Sequence, residues 1–226
     1  MGARDPRDQR KLPPGRHGIP AEQVADDQRA RILAAVVAAV GERGYADATV
    51  EDFTGRAGVS RKTFYQHFAN KNAAFLAAYD EIADRVVTVA RTGYTAHDDY
   101  AASAREALER SLRELAADPD AAALGVVEVF AAGPEALRRR SENIRKLTAL
   151  ITARTRDLPQ AAPGASFTAE TIVGAVLEVV YNRVQRGEAA QLPDLVPDLL
   201  YCVVAPFFGH ERATEERASA QRLPAS

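Results

Sequence analysis

The run Arg61-Lys62-Thr63-Phe64-Tyr65-Gln66-His67 sets two cations, a hydroxyl, a phenol, an amide and an imidazole close together. Such a set suits nucleic acid: phosphate oxygens accept from Arg and Lys, and base edges exchange hydrogen bonds with Arg, Thr and Gln. Lys71 adds a cation at the start of the next helix, where free backbone amides also attract phosphate. Elsewhere the chemistry is sparse. His17, His67, His97 and His210 are scattered and Cys202 is the single cysteine, so no metal site is expected. Asp26-Asp27 and Asp98-Asp99 read as helix-start acids. Ser166 lacks the context of a nucleophile elbow, and the glycines form no phosphate loop. No catalytic constellation emerges, so neither enzyme nor cofactor is expected.

Short helices must hold the basic run in place. Thr49 and Asp52 have the T-x-x-D spacing of a helix start. The helix they open is only about two turns long, because Ala57-Gly58 supplies a small residue and one that tolerates positive φ. Ser60 can cap the next helix. Val50, Phe53, Ala57, Val59, Phe64 and Phe68 can then point inward together, leaving the tips of Arg61, Lys62, Thr63, Tyr65, Gln66 and His67 outward. Two short helices joined by such a turn form the helix-turn-helix layout. A helix from about Val24 carries Ile32, Leu33, Val36, Val37 and Val40 at helical spacing and stops at Gly44; another runs from Lys71 to about Arg91.

The segment Ala57-Gly-Val-Ser-Arg-Lys-Thr-Phe-Tyr-Gln-His-Phe-Ala-Asn-Lys71 resembles the pattern A-G-V-S-x-x-T-[LF]-Y-x-[HY]-F-x-x-K of TetR regulators, and Pro14-Gly-Arg-His-Gly18 is similar to the arms of actinobacterial members. The resemblance covers about Arg29 to Tyr79. It implies that Arg61, Lys62 and Thr63 face the major groove, while Thr49, Tyr65, His67 and Lys71 mainly hold phosphates. It also implies double-stranded operator DNA and a small-molecule effector as partners, and a homodimer usually acting as a repressor. Phe53 stands where Ile or Leu is commoner, a core exchange of little consequence. Thr54 replaces the usual Ala, and its hydroxyl can bond back to a helix carbonyl.

The whole chain reads as all-α, with a basic arm over residues 1–23, a helix-turn-helix domain over 24–71, a helical ligand-binding and dimerisation body over 72–212 and a disordered tail over 213–226. Met1 to Lys71 holds 12 Lys+Arg against 9 Asp+Glu, and the remainder 17 against 22, as suits a polyanion-binding head on a body that does not bind it. The arm cations Arg4, Arg7, Arg10, Lys11 and Arg16 fit either a strand-following arm or a tail without a specific role. One cysteine, no secretory signal and a longest apolar run of only Ile32 to Val40 suit a cytoplasmic protein with no membrane association.

Apolar stripes at Ile172, Val176, Val179, Val180 and Val184, and at Leu195, Leu199, Val203, Phe207 and Phe208, are expected to meet a second subunit. Tyr94, Phe130, Tyr181 and Asn182 are candidate contacts for an apolar ligand in the body, although core packing accounts for each of them as well. A rival reading is a ligand carrier or enzyme with a vestigial head; it predicts little salt-dependent DNA binding.

Overall fold

The protein is described by a computed structural model covering residues 21–156, 158 and 165–222. The arm, apart from its last residues, and most of the Pro/Gly loop after Leu158 lie outside the described residues. Regular structure among the described residues is entirely helical.

Helix α1 (Ala21–Asp47) begins slightly before the expected Val24, on strong helix formers, and its chain breaks at Gly44, where φ is 76°. Ile32, Val36, Ala39 and Val40 form its buried stripe. α2 (Val50–Ala57) and α3 (Arg61–His67) cross beside it, and α4 (Lys71–Tyr94) closes the head. Phe53, Phe64 and Phe75 are fully buried at the centre of this unit.

α4 is about 36 Å long and serves two cores. Its first half gives Ala74, Phe75, Ala78, Tyr79 and Ile82 to the head core; further on, Val86 and Tyr94 join the body core. α5 (Tyr100–Ala117) packs closely along α4. Gly93 permits this, since a Cβ there would stand 2.4 Å from the Ala107 backbone. Asp99 caps α5 by accepting from the Ala102 amide at 2.9 Å, the helix-start role read from the sequence.

Pro119 opens the short α6 (Pro119–Ala122), which runs into a π turn at Ala123–Val127 and a 3₁₀ turn at Glu128–Phe130. α7 (Pro134–Thr155) and α8 (Ala165–Gln185) pack against each other; a 3₁₀ segment at Ala189–Leu195 leads into α9 (Val196–Arg222). Ser166 and Thr168 lie in the first turn of α8.

α9 corrects the expected tail. It bends at Gly209 and continues to Arg222 instead of fraying after Arg212. Ala213 is buried, and the half-sheltered Arg105–Glu216 pair at 2.7 Å ties this end to α5. The stretch Ala189–Arg222 is also apolar enough in one window, at mean hydropathy 1.3, to match a membrane span. Leu199, Leu200, Val203, Val204 and Phe207 instead fill the chain's own core.

Candidate nucleic-acid interface and ligand cavity

The helix-turn-helix is fixed by local hydrogen bonds. The Thr49 hydroxyl accepts from the Asp52 amide at 3.2 Å and donates to the Asp52 carboxylate at 2.7 Å, while the Thr49 amide also donates to that carboxylate at 2.9 Å. These bonds hold the Asp52 carboxyl below its usual value, the side-chain bond from Thr49 most of all. The Thr54 hydroxyl donates to the Glu51 carbonyl at 3.1 Å, as read from the sequence. Gly58 turns the chain at φ 64°, and Ser60 caps α3 by accepting from the Thr63 amide at 3.0 Å. Arg31, which the sequence did not single out, donates to the Ala57 carbonyl at 2.7 Å and so closes the end of α2.

The outward face of α3 carries Arg61, Lys62, Tyr65 and Gln66, all exposed. Arg61 and Lys62 have no ion-pair partner among the described residues. Tyr65 lays its ring edge-on to Phe64, with centroids 5.3 Å apart, and remains 48% exposed. Thr63 is half-buried, its hydroxyl 2.9 Å from that of Ser60. His67 is also half-buried, with Nε2 3.4 Å from Gln28 Oε1. Thr49 sits exposed at the start of α2.

Lys71 departs from expectation. Its Nζ donates to the carbonyls of Tyr45, Ala46 and Ala48 at 2.7, 3.3 and 2.9 Å, and lies 4.4 Å from the centre of the Tyr45 ring. A cation so engaged closes the end of α1, where carbonyls otherwise lack partners. In this structure it is a clamp within the head, not a free phosphate ligand.

The head rests on the turn segment of the body. Glu128 accepts from the Tyr45 amide at 2.6 Å, and Asn72 donates to the Ala132 carbonyl at 2.8 Å and to the Tyr45 hydroxyl at 3.0 Å. The same segment walls a cavity on its other side, through Gly125 and Val126.

Two cavities, of about 80 and 100 Å³, share Val86, Leu115, Leu147 and Leu177 as a common wall. Both are mainly aliphatic. The one nearer the head has a polar corner of Tyr79, Arg140 and Asn143. The other reaches Tyr94, Ser111 and Val203. Burial pushes the Tyr79 and Tyr94 phenols up, so both stay neutral.

Of the candidate ligand contacts, only Tyr94 lines a cavity. Phe130 and Tyr181 pack edge-on against each other at 5.6 Å. Asn182 donates to the Glu178 carbonyl one turn back, a bond internal to α8. Three of the four candidates therefore line neither cavity.

The bacterial regulatory protein family tetR matches residues 32–78, from the buried stripe of α1 into α4. The matched segment is about a fifth of the chain. Over 84 residues it is 32% identical to the HTH-type transcriptional activator FasR of Mycolicibacterium smegmatis, the alignment covering 37% of this chain and 38% of FasR. Over 77 residues it is 36% identical to the HTH-type transcriptional regulator EthR of Mycobacterium tuberculosis, covering 34% of this chain and 35% of EthR. The chain thus spans little more than a third of the length of these curated relatives. The likeness of fold extends further than the aligned segment. A solved structure of the regulator FadR from Bacillus subtilis, in complex with stearoyl-CoA, superposes with a TM-score of 0.67 at 17% identity, covering 80% of this chain and 98% of that one.

The stripes assigned to a second subunit are corrected by the structure. Ile172, Val180, Val184, Leu199, Val203 and Phe207 are all buried inside the single chain, and Val176 lines the second cavity. Their apolar surface is already covered. The outward sides of α8 and α9 are different residues: Phe167 at 75% exposure, then Thr171, Gly174 and Ala175 on α8, and Cys202 and Pro206 on α9.

Proposed function

We propose that the chain is a cytoplasmic, homodimeric repressor that reads operator DNA with α3 and leaves it when an apolar small molecule enters the body. The observation that carries this reading is the outward face of α3, where Arg61 and Lys62 stand exposed and unpaired among the described residues beside Tyr65 and Gln66. Cations that serve only folding usually find carboxylates, as Arg56 does with Glu42. Arg61, Lys62 and Thr63 address the major groove; Thr49, Tyr65 and His67 hold the flanking phosphates. One short helix contacts few base pairs, so selection needs two heads about one helical turn of DNA apart.

A second copy supplies the second head. Gly174 and Ala175 let a partner helix approach closely, and Phe167 stands 75% exposed among the described residues. The ligand enters the aliphatic cavities beside α4, which joins head to body; the named ligand of the Bacillus subtilis FadR structure likewise has a long apolar tail. A ligand that prefers one head spacing shifts the population and lowers DNA affinity by roughly 5–150-fold at typical coupling.

Sequencing of DNA fragments retained by the purified protein tests the reading directly. A defined preferred sequence is expected, with affinity falling steeply as salt rises. Arg61→Ala should relax the preference at one position at a cost of about 1–3 kcal/mol. Retention of random fragments alone, unchanged by Arg61→Ala, would count against it. Sedimentation of Phe167→Asp, expected to be monomeric beside a dimeric wild type, tests the assembly.

A further inference from the structure

We infer that the ligand is a linear amphiphile with an anionic head, and that Arg140 is the residue that selects the charge. The inference rests on the body being the ligand site. Along α4 the lining runs through Tyr79, Ile82, Ala83, Val86, Val87, Ala90 and Tyr94, one face of the last two thirds of the helix. That face is about 22 Å long. The space beside it is two small cavities, of about 80 and 100 Å³, walled mainly by Leu, Ile and Val side chains and sharing Val86, Leu115, Leu147 and Leu177. Two small cavities set in line along one helix face suit an extended alkyl chain better than a fused ring system.

The two ends of this path differ chemically. At the far end Tyr94 stands among Tyr100, Phe207 and Phe208, with centroid separations of 5.5 to 6.5 Å along the cluster. Among the described residues no charged group lines that cavity. At the head-proximal end Arg140 is, among the described residues, the one charged residue lining either cavity. Its neighbours on α7 are committed: Arg138 to Glu135 and Glu142, Arg139 to Glu135 and Asp80. Arg140 has no carboxylate partner among the described residues. It lies over the Phe130 ring at 4.8 Å, a contact that sets the guanidinium in place without neutralising it. Asn143 donates to the Tyr79 hydroxyl at 3.4 Å, so the same corner offers an amide and a buried phenol. A half-buried, unneutralised guanidinium at the polar end of an aliphatic channel is a counter-charge for a carboxylate or phosphate head.

The position of that head also links the ligand to DNA. Phe130 closes the turn segment whose Glu128 holds the Tyr45 amide. An anion drawing Arg140 off the Phe130 ring acts on the segment that supports α1.

Calorimetric titration of dodecanoate and dodecan-1-ol into the dimeric full chain separates head from tail. The wild type is expected to prefer the acid by about tenfold or more, the size of one charge-assisted hydrogen bond. Arg140→Gln should abolish the preference while leaving the affinity for the alcohol unchanged, and Arg140→Lys should keep part of it. Unaltered circular dichroism of both variants confirms that the fold persists. Equal binding of acid and alcohol by the wild type would overturn the role of Arg140 and leave the apolar site standing. Binding of neither would overturn the body as a site for linear amphiphiles.

Discussion

The head fills its core with rings and the body fills its core with branched aliphatics and alanine. Phe53, Phe64, Phe68 and Phe75 meet in the head, each nearly or wholly buried. Tyr94, Tyr100 and Phe207 cluster at one end of the body core, and the rest is mostly Ala, Leu, Ile and Val. Large rings close space with few side chains and leave a rigid outer surface, which suits fixed contacts such as those of α3. Small side chains between long helices meet less completely, and the body retains two adjoining cavities. Within one chain, aromatic packing gives a surface of fixed shape and aliphatic packing gives an interior that can admit a guest.

The largest test of this contrast is Phe64→Ala. Loss of a fully buried ring should cost about 3–5 kcal/mol. Hydrogen exchange should rise in α1 to α3 while the centre of α5 stays protected. Equal loss of protection in both would show that head and body unfold as one unit and erase the distinction. Lys71→Met comes next. Removing a cation from three carbonyls should lower head stability by about 2 kcal/mol in urea unfolding. Arg61→Ala, at a free surface, should stay within about 0.5 kcal/mol of wild type. If Lys71→Met were silent for stability and costly only for DNA affinity, the clamp would give way to a phosphate contact.

Added bulk sharpens the comparison. Ala74→Leu at a fully buried head position should overpack the core at a cost of about 1–3 kcal/mol. Ser111→Leu, facing the second cavity, should be tolerated in thermal unfolding and should weaken binding of an apolar ligand. A similar penalty for both would mean that the cavity is not spare room. The smallest effect is at Thr49. Thr49→Ala removes a helix cap worth about 1 kcal/mol. The Asp52 carboxyl, held low by Thr49, binds fewer protons when folded than when unfolded. Its contribution is therefore present above the ordinary carboxylate range and lost as pH falls through its lowered value. Nuclear magnetic resonance titration should find the Asp52 value raised in Thr49→Ala.

The head was readable because its determinants are local. Thr49 with Asp52, Gly58 and Ser60 act within four residues of their own positions, and each does what its spacing implied. The carbonyl contacts of Lys71 are not legible in the sequence because its partners lie 23 to 26 residues away, and nothing in the spacing brings the end of α1 to it. In the body, Ile172, Val173, Val176, Val179, Val180 and Val184 occupy more than one side of α8, so periodicity alone could not tell the inward face from the outward one. Tyr181 and Asn182 stood out as polar groups in an apolar helix, yet a bond within one turn satisfies Asn182. Arg140 gave no signal, since it follows Arg138 and Arg139 in a run that reads as solvated charge. Only the pairing of its neighbours sets it apart.

The π turn at Ala123–Val127 sets the direction of the short 3₁₀ turn that follows it, Glu128–Phe130. Each residue of an α-helix advances by about 100° around the axis, and a wider turn takes up one residue more before the pattern resumes. Side chains beyond Val127 are thereby rotated relative to those before it. Gly125 and Val126 face the cavity, and Glu128, two residues on, faces the Tyr45 amide across the seam. A one-residue deletion inside this turn would restore a regular helix and swing Glu128 away from α1. The cavity wall and the support of the DNA-reading head share one short segment because its winding is out of step by a single residue.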